Sequence, residues 1–349
     1  MTQHLVYQRN HFSDTAIGQV SARHAVTTRW GVPADSGLRG RIFANIKFDC
    51  KIRIAEALSR MNRVLQFFEL MVGRYQNILE ARIYTNTYTE GDPPPLGSGS
   101  DISGSEVYVS MNPKHQRSPE EGEPSPFNVL IDPVRDSETF SSVLKAWLAR
   151  DEDADWQDAR MRLSSGWGGR VYNQDRLMRA VSMFEYLPKG VFPNESTLSQ
   201  EEQDAIEKAK KIFHKLHQDS IVRKVVLNKL GNIDSLTLKK RVRHRAVSII
   251  NAIGHATPEL SAVISKAVDC RNLYVHGNNA NVTPKLCGSC LSFLTDTLEF
   301  IFLASDLVDA GWDIASWSKK GRPLGHPLFN YLTRYEQNLE IMDAVPRNP

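Results

Sequence analysis

The 349-residue sequence is short of several things, and each shortage narrows what the chain can be. Four cysteines, Cys50, Cys270, Cys287 and Cys290, are too few and too unevenly spaced for a disulfide framework, which favours a reducing compartment and a cytoplasmic localisation. The start, MTQHLVYQRNHFSD, lacks a basic stretch followed by an apolar one and is not expected to be a secretory signal. No apolar run reaches the ~20 residues of a bilayer span. The most apolar, LTDTLEFIFLASDLV at 294–308, carries Asp296, Glu299 and Asp306 and reads as a buried helix of a soluble protein, so no membrane is expected among the partners. No repeat at a fixed period and no long low-complexity segment is present, which excludes a solenoid. The net charge of +3 and a pI near 8.6 are too mild to declare a nucleic-acid binder, although local cationic clusters can still hold phosphate.

Common chemical signatures are also missing. The single C-x-x-C, CGSC at 287–290, has no second ligand pair and reads as core packing rather than a zinc site. His214 with His217, and His244 with His255, lack zincin spacing, and GWGG at 166–169 lacks the lysine and serine of a phosphate-binding loop. No metal and no cofactor is expected.

What is present is an ordinary globular composition, 41% hydrophobic and 24% charged, long enough for about two domains. Residues 1–45 show no sustained period and are expected as an arm of uncertain structure. RIFANIKFD (41–49) reads as a short strand. It leads into IRIAEALSRMNRVLQFFELMVG (52–73), where Ile54, Ala57, Leu58, Met61, Leu65, Phe68 and Val72 recur at helical spacing before Gly73. Strand-like ILEARIYTNTYTE (78–90), SEVYVSMN (105–112) and FNVLID (127–132) follow, separated by turn-rich loops. From residue 136 nearly everything reads helical. The expected fold class is mainly α, a C-terminal antiparallel helical bundle (170–345) preceded by a smaller mixed α/β region (46–165), with SSGWGG at 164–169 as the boundary.

The helix expected over 257–276 has an anomaly. Its apolar stripe, Leu260, Ile264, Ala267 and Val268, next places Arg271 before Val275 resumes it. A guanidinium there is costly unless it meets an anion or opens on a wet cleft, so this face is expected to border a site or an interface. His276, a residue type that titrates near neutral pH, lies five positions on, about 140° round an ideal helix. The two converge only if the helix ends near Val275 or if a second copy of the chain supplies the facing half.

Arg271-Asn272-Leu273-Tyr274-Val275-His276, Arg-Asn-x-x-x-His at the end of a bundle helix, resembles the RNase motif of HEPN domains, and in particular the ApeA-like HEPN family of bacterial anti-phage proteins. DRLMRAVSMFEYL (175–187) is similar to that family's first bundle helix and NKLGNIDSLTLKKRV (228–242) to its loop and basic helix. The resemblance implies a HEPN-type bundle and metal-independent RNA cleavage by a homodimer with a composite active site. In it Arg271 stabilises phosphate charge, His276 moves protons, and Asn272 orients His276 or a phosphate oxygen by hydrogen bonding. It further implies an abortive-infection toxin with a phage-derived trigger, and transfer RNA as the target by analogy. Tyr274 either stacks a base or packs. Lys239, Lys240 and Arg243, in KKRVRHR (239–245), are either RNA-backbone contacts or a solvated helix face. The competing readings are an ion-paired arginine with a capping histidine, and a catalytically inactive HEPN-like module that binds RNA or a protein.

Overall fold

The computed structural model describes residues 2–5, 11–29, 38–76, 81–84, 106–109, 129–133, 135–167, 171–193, 198–231, 233, 236–277, 281–319 and 325–346. The loops expected at 91–104 and 113–126, and the first residues of the strand expected at 127–132, lie outside them. Two compact units are present, one of Met1–Ala149 with Pro323–Pro327, the other of Arg150–Arg322 with Leu328–Pro349.

Among the described residues the first unit opens with three strands where the sequence shows no sustained period, β1 (Thr2–Leu5), β2 (His11–Thr15) and β3 (Gly18–Arg29), and then β4 (Leu38–Lys47), which contains most of the strand expected at 41–49. All pairings are antiparallel. β3 is long enough to take β2 along its first half and β1 along its second on one edge, while β4 covers the other edge from Gln19↔Lys47 to Thr28↔Leu38. The turn into β3 depends on Gly18, whose φ is +125°. A Cβ there would sit 2.7 Å from the Lys47 carbonyl oxygen, so no other residue fits without distortion.

Helix α1 (Ile54–Val72) ends as its sequence predicts, with Gly73 left-handed and its N–H on the Glu69 carbonyl. Its buried face is not the predicted one. Ala57, Val64, Phe67, Leu70 and Met71 are buried, whereas Leu58, Met61, Leu65 and Phe68 are only half covered and Ile54 is exposed. Apolar residues occupy both stripes of this helix, and packing chooses between them: Phe67 meets Phe140 edge-on at 5.6 Å and Trp147 at 5.5 Å, both from α2 (Ser137–Arg150). β5 (Ala81–Tyr84) and β6 (Glu106–Val109) form a separate antiparallel pair. The described part of 127–132 is not a strand; the Leu130 N–H bonds to the end of α1 at the Met71 carbonyl instead.

The second unit is helical, so the chain is mainly α with a smaller mixed region before it. In order come α3 (Ala154–Ser164), α4 (Gln174–Tyr186), α5 (Gln200–His214), α6 (Ile221–Gly231), α7 (Leu238–Ile253), α8 (Leu260–His276), α9 (Pro284–Ser289), α10 (Leu291–Asp309), α11 (Ile314–Lys319) and α12 (Pro327–Ala344). α10 is the axis, buried almost all round and packed against α4, α7 and α8. Its acidic residues are kept by cations from neighbouring helices. Arg160 forks onto Asp306 with both bonds 2.9 Å, and Arg176 forks onto Glu299 with both 2.8 Å. Burial works against charge on Asp306, but Arg160 and Arg150 overcome it and hold the carboxyl below its usual range. These pairs explain how carboxylates stand in the most apolar stretch of the sequence.

Two helix boundaries differ from the expected ones. Thr257 and Pro258 do not start α8: the Thr257 N–H closes a short 3-10 turn on Gly254, and the helix begins after Glu259, held at φ 55°. TPKLCGSCLSFLTDTLEFIFLASDLVDAG (283–311) reads in the sequence as one helix with Thr283 and Pro284 at its start; Thr283 does cap and Pro284 sits in the first turn, but the helix breaks at Cys290 between α9 and α10.

Candidate functional site

The site is built where α4, α7 and α8 meet. α8 buries Leu260, Val263, Ile264, Ala267, Val268, Asp269 and Cys270, and then its burial gives out. Arg271 stands at that edge, its side chain 20% exposed, while Val275 is exposed and does not resume the buried stripe. The cation thus marks the end of the apolar face rather than an interruption in it.

The Arg271 guanidinium is oriented by two oxygens. One Nη donates to the Glu185 carboxylate at 3.1 Å and the other to the Asn272 Oδ1 at 3.2 Å. Its Nε is buried with no acceptor among the described residues. A guanidinium carries five N–H donors, and one whose planar fork is held on two sides, with a second hydrogen left on each Nη, is suited to an incoming oxyanion. Glu185 lies at the end of α4, whose last carbonyls need donors. Arg241 supplies one, bonding the Glu185 carbonyl at 3.2 Å while its guanidinium lies over Phe192, 5.1 Å from the ring centre. Arginines from α7 and α8 therefore meet on the last turn of α4.

The other residues singled out in the sequence fall around this point. α8 remains helical through His276, and the left-handed Gly277 closes it by bonding the Leu273 carbonyl. The chain therefore does not bring His276 round by ending the helix at Val275; the imidazole is exposed on the last turn. Tyr274 is half-buried, and burial raises its phenol pKa. Lys239 spends its ammonium on the buried Asp269 carboxylate at 2.7 Å, across α7 and α8. Lys240 is exposed, and Arg243, also exposed, donates to the Ser265 hydroxyl at 2.6 Å.

Three residues next to the motif had no role in the sequence reading. Glu185 lies within DRLMRAVSMFEYL, but nothing in spacing links it to a residue 86 positions away. The same holds for Asp269 and Lys239. Cys270, immediately before Arg271, is disulfide-bonded to Cys287 of α9; burial of Cys287 and Cys290 agrees with core packing, although Gly288 and Ser289 between them are exposed, and the bridge was not expected from the spacing. Cys290 stays a buried free thiol whose pKa burial raises.

A helical bundle with Arg-Asn-x-x-x-His closing one of its central helices is the arrangement of a HEPN domain. The comparison with protein families agrees: residues 178–315 match the model described as Apea-like HEPN, which supports a HEPN domain of that kind over this stretch. HEPN domains are generally RNase modules, which gives the chain an RNA-related role. No curated protein and no solved structure matches it. Among the described residues no helix is long and apolar enough to cross a membrane.

Proposed function

We propose that the protein is an endoribonuclease that cleaves RNA without a metal, by attack of a ribose 2′-OH on the adjacent phosphorus. The 2′-oxygen forms the new bond, the 5′-oxygen leaves, and the products end in a 2′,3′-cyclic phosphate and a 5′-hydroxyl. His276 takes the 2′-OH proton or protonates the leaving oxygen, and Arg271 stabilises charge on the pentacoordinate phosphorus. Asn272 holds the guanidinium plane. The observation that carries this reading is Arg271 itself, fixed by Glu185 and Asn272 at the edge of the bundle with its Nε unpaired.

Because α8 stays helical through His276, one chain directs the two side chains about 140° apart. The reading therefore includes a homodimer in which Arg271 of one subunit and His276 of the other face one phosphate. Lys240 and Arg243 serve the backbone of a bound strand, with Lys239 kept to Asp269. The Apea-like HEPN match supports placing this activity in anti-phage defence, as a toxin released by a trigger.

RNA cleavage in the presence of EDTA tests the reading. The native chain should yield cyclic-phosphate ends, and folded Arg271→Ala and His276→Ala variants should each lose at least about a hundredfold in rate. Undiminished cleavage in both would remove the site assignment. The Arg271–Glu185 pair also favours a second reading, a structural arginine in a binding module; RNA binding without cleavage under any activating condition would select it.

A further inference from the structure

Between α4 and α7 the bundle carries a helical hairpin, α5 and α6, that the proposed reaction does not use. α5 has a full capping box, with Ser199 and Glu202 bonding each other's backbone, so it is a well-formed helix. The two helices pack on each other through half-covered residues such as Ile206, Phe213, Val226 and Leu230, yet neither buries a single residue. Around the turn that joins them, aliphatic side chains point to solvent: Ile221 is 77% exposed, Ile212 63% and Val222 57%, with Leu216 and Val225 beside them. Ile212 lies in the last turn of α5, Leu216 just beyond its C-terminal cap, and Ile221, Val222 and Val225 in the first two turns of α6. Such a cluster is expensive to leave in water.

The same end of the hairpin is cationic. Lys211, Lys215 and Lys224 are exposed, and Asp219 is the one acidic residue between 211 and 224. We propose that the tip of this hairpin is a docking surface for an anionic lipid bilayer. A bilayer offers hydrocarbon to the aliphatic residues and a negative surface to the lysines at once. RNA would satisfy the cations, and the exposed His214 and His217 imidazoles could stack on a base, but it would leave Ile212, Ile221 and Val222 in water. A second copy of the hairpin would set lysines against lysines. The expectation of no membrane partner rested on the missing spanning run; attachment at the surface needs none.

Sedimentation of the full chain with phosphatidylcholine vesicles, with and without phosphatidylglycerol, tests this. The chain should bind the anionic vesicles at low salt and not the neutral ones. Ile221→Asp with Val222→Asp should abolish binding. Lys211→Gln, Lys215→Gln and Lys224→Gln together should weaken it about a hundredfold, at roughly fivefold per cation near the surface. All five positions are exposed, and unchanged circular dichroism will show that the variants fold. His276→Ala should bind vesicles like the native chain, which separates this result from the fate of the nuclease reading. No vesicle binding, equal binding to both lipids, or binding untouched by the hairpin variants would overturn the proposal. So would loss of RNA retardation in these variants without vesicle binding, which would make the tip an RNA surface, or a lowered sedimentation mass, which would make it a self-association surface.

Discussion

Arg271 gains its meaning from what surrounds it. The same guanidinium deeper in α8 would need a complete set of acceptors; at the edge of the buried stripe it is held by Glu185 and Asn272, and its Nε has no acceptor among the described residues. Glu185→Ala should leave Arg271 in place but less directed, lowering the rate of RNA cleavage more than the affinity for RNA; equal losses in both would assign Glu185 a binding role instead. A different single residue sets a pH response. His326 is wholly buried with a ring nitrogen 3.0 Å from the Leu70 carbonyl oxygen, and burial lowers its pKa to about 4. In the unfolded chain the ring titrates near 6.5, so between the two values the unfolded state takes up a proton that the folded state refuses, and stability falls as acid is added. By pH 5 this loss is about 2 kcal/mol. Asp296 acts oppositely: burial, only partly offset by the Tyr172 hydroxyl, raises its pKa to about 7, so the folded state takes up that proton first and gains stability on acidification from neutral pH. The two mask each other in the native protein. Denaturant titrations at pH 7 and pH 5 should therefore show His326→Gln losing less stability on acidification than the native chain, and Asp296→Asn losing more.

At the level of elements, α10 shows how a helix can be both apolar and acidic. Two of its carboxylates, Asp306 and Glu299, are buried and forked by Arg160 and Arg176. Arg176→Met alone should strand the Glu299 charge and cost about 3–5 kcal/mol in chemical denaturation, while Arg176→Met combined with Glu299→Leu should recover most of it. The existence of α1, α7 and α10 is legible in the sequence because each carries an apolar period. α7 buries Val242, Ala246, Ile249 and Ile253, four of the five positions its spacing predicts. The buried side of α1 is not legible, because two apolar stripes compete and Phe140 and Trp147 decide between them. Strands β1 to β3 escape notice for the opposite reason: GQVSARHAVTTR is polar and carries little period-2 contrast.

For the whole molecule, the proposed composite site makes a distinctive prediction. If Arg271 of one subunit works with His276 of the other, mixing Arg271→Ala and His276→Ala chains builds one intact site per mixed dimer. Equal mixtures of two inactive variants should recover about a quarter of native activity after subunit exchange, since about half the dimers are mixed and each holds one site of two. No recovery in a confirmed mixed dimer would place both residues of a site in one chain.

The helical class, the Arg-Asn-x-x-x-His string and its place at a helix end are properties of local order, and the sequence alone determines them because apolar period and capping residues act over a few positions. The partners of that string are not local. Glu185 reaching Arg271, Asp269 holding Lys239, Cys270 joined to Cys287, and α8 staying helical through His276 all depend on how α4, α7, α8 and α9 pack, and only the tertiary structure decides them.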